Sequence, residues 1–438
     1  MSTWKLRPGA DRRIRAQHPW VFSNELAQSP KGLVPGSPVR LVDAKGQFVA
    51  AGYGNPNSLI AFRALSFQDG PNPCELENVV LKVVSAWGHR FLMGYRRSFR
   101  LVYGEGDFLP GLVVDRYVGT NDDGVRQQVL VAQILSAGIQ FSVASSAQML
   151  ERFFQKIVED TFDSKLSEFN WAETNVVIRN DVSVRRLEGM DLQDSVVLRQ
   201  VPNTDLYNFS IEIDPVAGEK PVLMLCDLVQ GQKTGFFLDQ AENIALTARH
   251  VLQSKNWESP IRILDLCCYV GQWSTQLTRA LVSQGHKVEV TQVDVSATAL
   301  AAAKHNAERE GALALSLKLD VLEGLSALPD RHYDIVIADP PAFIKAKKDV
   351  PTGRHAYLKI NANAFRVVRR GGWVVSCSCS GLLEEKEFIE VLAKALRRQE
   401  LQARCVARGG HAADHPNLMA FPEGFYLKMF LHQVCTGG

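Results

Sequence analysis

The 438-residue chain is poor in three things, and each shortage excludes a class of protein. No stretch approaches the ~18 apolar residues that a membrane helix requires. The opening residues Met1-Ser2-Thr3-Trp4-Lys5-Leu6 carry no long apolar core, so they do not read as a secretion signal. Cysteine is scarce: Cys74, Cys226, Cys267, Cys268, Cys377, Cys379, Cys405 and Cys435 are too few for a disulfide framework at this length. Reduced thiols in a cytoplasm are therefore expected. Charge of one sign is scarce as well. A net charge of +2 excludes a polycation, so any nucleic-acid surface must be a local patch. What remains is ordinary globular usage, 46% hydrophobic and 22% charged, in a chain too long for one core.

The patterning divides the chain into three expected domains. Residues 1–74 are rich in Gly and Pro, with short apolar runs at Val39-Arg40-Leu41-Val42, Phe48-Val49-Ala50-Ala51-Gly52 and Leu59-Ile60-Ala61-Phe62-Arg63. Asp43-Ala44-Lys45-Gly46 is a turn signal between the first two, and together they predict a small β-barrel. Residues 75–205 predict a small α+β domain. It has a helix over 75–99, strands at 112–116 and 128–134 around the polar loop Asn121-Asp122-Asp123-Gly124, a helix over 146–162 and a strand at 175–179. Residues 206–438 open with strands at 209–213 and 222–228. Strand and helix then alternate: strands at 262–266, 288–293, 315–319, 333–338 and 372–376, with helices from 271, over 297–309 and over 384–398. Such repetition predicts a parallel sheet covered on both faces. A last strand at 425–434 has no helix after it, so it is expected as an antiparallel addition at the edge.

In an open α/β sheet the ligand sits at the carboxyl ends of the strands. These ends carry Asp265 with Cys267-Cys268-Tyr269-Val270-Gly271, then Asp294, then Asp320, then Asp339-Pro340-Pro341-Ala342-Phe343, then Cys377-Ser378-Cys379-Ser380. Clustered carboxylates repel and are costly to desolvate, and a donor-rich ligand accounts for them. Asp294 falls 23 positions after Gly271, near the spacing of a carboxylate that holds ribose hydroxyls. Asp320 is placed to accept from an adenine amino group. The first loop has Gly271 but no three-glycine phosphate fingerprint, which disfavours a dinucleotide and suits S-adenosylmethionine. The competing reading is that these aspartates cap helices.

Asp339-Pro340-Pro341 is a rigid strand end whose prolines remove backbone donors and leave carbonyls for a ligand, such as the amino group of a base. Cys379 would select the reaction. Carbon 5 of cytosine is a poor nucleophile until a thiolate adds to carbon 6, and such a thiolate needs cations or positive ends nearby. The bland alternative is a small buried filler, which suits Cys377 better. A zinc site is not expected, because adjacent Cys-Cys and Cys-x-Cys are poor ligand spacings. His411, Asp414 and His415 form a polar knot before Pro416, either a turn with solvated histidines or a loop over the pocket.

These residues resemble the bacterial 23S ribosomal RNA large-subunit methyltransferase I family over nearly the whole chain. His18-Pro19-Trp20-Val21-Phe22 resembles the start of its PUA domain, an RNA-binding barrel. Gly104-Glu105-Gly106-Asp107-Phe108-Leu109-Pro110-Gly111 and Leu135-Ser136-Ala137-Gly138 resemble its middle domain. Lys233-Thr234-Gly235-Phe236-Phe237-Leu238-Asp239-Gln240, Asp339-Pro340-Pro341-Ala342-Phe343, Ser378-Cys379-Ser380-Gly381 and Ala413-Asp414-His415-Pro416 resemble its catalytic segments. Val270-Gly271-Gln272 departs from the family's Thr-Gly-Gly, and Ala241 stands where the family usually has Arg.

The resemblance implies a PUA barrel, an α+β domain and a Rossmann-like class I methyltransferase domain with a mostly parallel seven-stranded sheet. It implies a cytoplasmic enzyme acting on 23S ribosomal RNA or the assembling large subunit, away from membranes, with a homodimer compatible. Cys379 takes the nucleophile position, with Asp339 beside it. Asp265, Cys267, Tyr269, Gly271, Asp294, Asp320, Asp339 and Phe237 are expected around S-adenosylmethionine. Pro340, Phe343 and Lys233 are expected on the RNA. Clusters at Lys5, Arg7, Arg12, Arg13 and Arg15, and at Arg96, Arg97 and Arg100, are candidate phosphate contacts. Two other readings stand: methylation of an exocyclic amino group through Asp339-Pro340-Pro341 alone, and an inactive RNA-binding assembly factor.

Overall fold

The computed structural model describes residues 1–121, 123–254 and 257–436; Asp122 of the expected polar loop lies outside them. The chain forms two compact units, each made of several stretches. One comprises Met1–Phe209, Asp227–Phe236 and Asp414–Gly424; the other comprises Ser210–Cys226, Phe237–Ala413 and Phe425–Gly438.

The first unit begins with β1 (Ser2–Lys5), the single helical turn α1 (Arg12–Arg15), β2 (Trp20–Val21), β3 (Pro38–Val42), β4 (Phe48–Gly54) and β5 (Phe62–Ser66). They form one sheet in the order β1-β3-β4-β5-β2. Asp43 shapes the β3–β4 turn by accepting from the amides of Lys45 and Gln47. The strand expected from Leu59 starts only at Phe62. Asn55 and Ser58 accept from the amides of Asn57 and Ile60, so the chain turns there and Leu59 is 80% exposed.

The same unit continues with α2 (Leu76–Leu92), β6 (Phe99–Tyr103), β7 (Leu112–Thr120), β8 (Arg126–Ile134), α3 (Ala137–Val143), α4 (Ala147–Asp163), β9 (Thr174–Ile178) and β10 (Val196–Arg199). Strands β10, β9, β8 and β7 are neighbours in that order, and β6 also pairs with β7. The helix expected over 75–99 stops at Leu92, because Gly94 turns left-handed (φ +92°) and Phe99 is already a strand residue. Trp87, Phe99, Leu101, Val114, Phe153 and Phe154 fill the core between α2, α4 and the sheet. Tyr53 of β4 ties the two sheets together: its hydroxyl donates to the Pro110 carbonyl at 2.6 Å and bonds Ser136 at 2.9 Å.

Asp414 and His415 correct the expectation of solvated histidines. Both are buried in this unit. The Asp414 carboxylate accepts from the Arg100 amide at 2.7 Å and pairs with His415 Nδ1 at 2.7 Å, and buried Arg90 donates to the Asp414 carbonyl. Replacing Asp414 with Ala leaves a buried amide without an acceptor, at a cost of about 1–3 kcal/mol. Thermal unfolding of D414A should fall by several degrees relative to wild type, and an unchanged melting curve would rule out this role.

The second unit holds β11 (Phe209–Ile213, whose Phe209 belongs to the first unit) and β12 (Val222–Cys226), which pair with each other. Then come α5 (Ala241–Leu252), β13 (Ile261–Leu266), α6 (Gln272–Val282), β14 (Val288–Asp294), α7 (Ala297–Arg309), β15 (Leu313–Lys318), β16 (Tyr333–Ala338), α8 (Val350–Val367), β17 (Val368–Ser378), α9 (Glu385–Arg398), β18 (Ala403–Gly409) and β19 (Lys428–Val434). The seven-stranded sheet runs β15-β14-β13-β16-β17-β19-β18. Strands β15 to β17 are parallel, and β19 is antiparallel to both neighbours. The last strand is therefore antiparallel as expected, but it lies inside the sheet, and β18 forms the edge. Strand order reverses between β13 and β16, and that switch point locates the ligand crevice. Among the described residues no helix is long and apolar enough to cross a membrane.

Candidate active site at the carboxyl ends of the sheet

The loop after β13 achieves tight turns with one glycine. Cys267 (φ 59°), Tyr269 (φ 50°) and Gly271 (φ 77°) are all left-handed, a conformation that costs free energy at the two non-glycine positions. The surroundings hold it. The Tyr269 amide donates to Asp294 at 3.0 Å, the Cys268 amide to Val293, the Gly271 amide to Cys268, and Asn306 Nδ2 to Val270. A side chain at Gly271 would come within 2.7 Å of Gln292 and 3.2 Å of the α7 backbone at Ala303, so helix and loop approach as only glycine allows.

The acidic side chains play different parts. Asp265 is the penultimate residue of β13 and fully buried; one oxygen accepts from the Ser274 amide at the start of α6, while its Oδ1 has no hydrogen-bond partner among the described residues. Burial raises its carboxyl to about 7. Asp294 ends β14 and accepts from Tyr269 and Ser296. Asp320 does not end a strand, since β15 stops at Lys318; it is exposed and accepts from the Leu322 amide. The cap reading thus describes the protein contact of Asp265, made to a first-turn amide of α6, but not that of Asp320, which only closes a local turn before the short helical turn at Gly324–Ala327.

Asp339 follows β16 and is half-buried. Its Oδ2 accepts from Gln240 Nε2 and from Trp273 Nε1, each at 2.9 Å. Gln240 and Trp273 were not singled out in the sequence, although Gln240 closes the Leu238-Asp239-Gln240 run. Next along the chain, the buried Pro340 offers its carbonyl to the Cys379 sulfur at a long 3.8 Å. Cys379 lies one residue beyond β17 and is half-buried, whereas Cys377 is fully buried in the core below. Strand ends four and five therefore bring Asp339, Pro340 and Cys379 together. The Phe343 ring stacks edge-on against Tyr357 at 4.9 Å, and Phe237 stands edge-on to Tyr269 at 5.4 Å. Lys233 is exposed and belongs to the other compact unit. Burial also pushes the thiols of Cys267 and Cys268 well up, so neither is a ready nucleophile. Among the described residues no group of three or more His, Cys, Asp or Glu could hold a metal ion.

Residues 5–67 match the model of a PUA-like domain and residues 263–372 that of a methyltransferase domain. A ribosomal RNA large subunit methyltransferase I from Photobacterium profundum is 31% identical over 97% of this chain and 97% of its own length. One from Erwinia tasmaniensis is 30% identical over 98% of each. The chain belongs to the ribosomal RNA large subunit methyltransferase I family. A solved structure shares the fold: a chain described as "a putative sam-dependent methyltransferase from Streptococcus mutans" covers 99% of this chain and is itself covered fully, with a TM-score of 0.69 at 15% identity. In this family member the site has a floor of β13, β14, β16 and β17 ends, a strained first loop and two half-buried thiols, Cys267 in that loop and Cys379 after β17.

Proposed function

We propose that the chain methylates carbon 5 of a cytosine in large-subunit ribosomal RNA, using S-adenosylmethionine and a covalent adduct through Cys379. The observation that carries this reading is the half-buried Cys379 thiol at the end of β17, against the Pro340 carbonyl and next to the carboxylate-bearing end of β16. S-adenosylmethionine supplies, when bound, an electrophilic methyl group. The residues fit it: the unpartnered Oδ1 of Asp265 is a buried acceptor for an ammonium, Asp294 an acceptor for ribose hydroxyls, and Tyr269, Gly271, Phe237, Cys267, Asp320 and Asp339 complete its surroundings. The Cys379 thiolate adds to carbon 6 and makes the ring an enamine nucleophilic at carbon 5. After methylation the carbon-5 proton leaves, the C5–C6 double bond re-forms and the thiolate departs. Asp339 holds the N3 and amino edge, while Pro340, Phe343 and the exposed Lys233 contact RNA. The domain division at 74 and 205 belongs to this proposal, with residues 1–74 gripping RNA.

The test is product analysis: the protein, labelled S-adenosylmethionine and large-subunit ribosomal RNA, followed by nucleoside digestion and by bisulfite mapping of RNA from cells lacking the protein. 5-Methylcytidine is expected. Label in an N-methylated adenosine or guanosine would overturn the proposal in favour of amino methylation at Asp339-Pro340-Pro341. A pH dependence follows from Asp265. With its carboxyl near 7, it is protonated below that pH and accepts from an ammonium only above it. Cofactor affinity should therefore fall from pH 8 to pH 6, by up to about tenfold per unit. In D265N it should be weaker and flat. Equal slopes in a calorimetric titration of both proteins would refute the assignment.

A further inference from the structure

The strand inserted into the sheet brings a lysine to the segment that carries the thiol. β19 pairs antiparallel with β17, and Lys428 stands opposite Ser378, the residue before Cys379. Lys428 is 9% exposed, and its Nζ donates to the carbonyl of Ser380, the residue after Cys379, at 2.9 Å and to that of Tyr426 at 3.0 Å. The amine is thus fastened to the backbone just after Cys379 and to its own segment just before β19. Among the described residues no carboxylate lies within ion-pair distance of it. A buried ammonium is costly unless paired, and two carbonyl dipoles offset only part of that cost. A thiolate at Cys379 supplies the missing counter-charge.

We infer that Lys428 is a positioning residue that holds Cys379 as a thiolate and so sets the pH at which the nucleophile is armed. This rests on the reading of Cys379 as the nucleophile. Ionisation breaks the S–H bond, releases the proton to water and leaves the electron pair on sulfur beside an ammonium that keeps its three protons. The other groups around the pair do not replace Lys428. Tyr357 of α8, whose hydroxyl shares a hydrogen bond with Ser380 Oγ at 2.9 Å, is raised to about 12 by burial and then by Cys379, so it stays neutral. Asp339, beside Pro340, opposes a second negative charge, and the buried thiol of Cys377 is pushed well up. Burial lowers the Lys428 amine, while Cys379 and then Glu385 of α9 push it back towards the charged form.

The experiment is alkylation of the full-length protein with iodoacetamide across a pH series, following the Cys379 peptide by mass spectrometry. In wild type the midpoint should lie below the ~8.5 of a free cysteine. K428M should raise it by at least about one unit, which slows alkylation at pH 7 by about tenfold or more. K428R should keep the low midpoint and most of the methyl transfer. A wild-type midpoint at or above ~8.5, or one that K428M leaves in place, overturns the inference. The wild-type and K428R profiles decide the matter even if K428M does not fold. Alkylation needs neither RNA nor methyl donor, so the two readings fail separately. A low, Lys428-dependent midpoint in an enzyme that makes no 5-methylcytidine sinks the cytosine reading alone. 5-Methylcytidine made by a thiol indifferent to Lys428 sinks this one alone.

Discussion

Replacing Cys379 with Ala should reduce methyl transfer by at least about a thousandfold while leaving cofactor affinity within about threefold of wild type, because covalent activation of the ring has no substitute and the thiol holds no part of the donor. Cys379 is half-buried and meets the Pro340 carbonyl at a long 3.8 Å, so its loss opens little cavity and the fold should persist. Cys377 is the internal control. It is fully buried two residues earlier on β17, and C377A should lower stability without abolishing methylation. Single-turnover methylation of ribosomal RNA with each variant separates the two. A C379A protein that still methylates within about tenfold of wild type would end the covalent route.

Removal of Asp339 is the second large effect. Its Oδ2 collects the side-chain N–H groups of Gln240 and Trp273, so the carboxylate is oriented by α6 and by the segment before α5. An oriented carboxylate against the pyrimidine edge should be worth about 10²–10³ in rate, the usual scale for one preorganised electrostatic contact. D339A should lose that much in single-turnover rate. D339N keeps an acceptor oxygen for Gln240 and Trp273 but no charge, and should fall between. If D339A transferred methyl groups as fast as wild type, the carboxylate would take no part in the chemistry.

Much of the catalytic sheet was legible because parallel strands buried on both faces form short apolar runs. Tyr333–Ala338 and the helix Ala297–Arg309 were bounded correctly on that pattern. β18 was not, because Ala403–Gly409 is an edge strand, largely exposed, and carries Arg404 and Arg408 within it. α8 was hidden by Pro351 and Gly353. The proline sits in the first turn, where it is tolerated, and a side chain at Gly353 would strike Ile344 at 2.3 Å. The strand-end aspartates were legible as a group, but not their division of labour. That division depends on contacts 9 residues apart for Asp265 with Ser274, and 99 apart for Asp339 with Gln240. Lys428 was invisible for the same reason: only antiparallel pairing of β19 with β17 brings it opposite Ser378, the residue before Cys379.

The interleaving of the two compact units has an evolutionary consequence. Residues 227–236 and 414–424 belong to the unit that otherwise ends at Phe209, so the chain leaves that unit and returns to it twice. Neither half can be excised as a contiguous cassette. A gene fusion that grafted the methylating half onto another RNA-binding module would carry along Asp414, severed from the Arg90 and Arg100 it bonds.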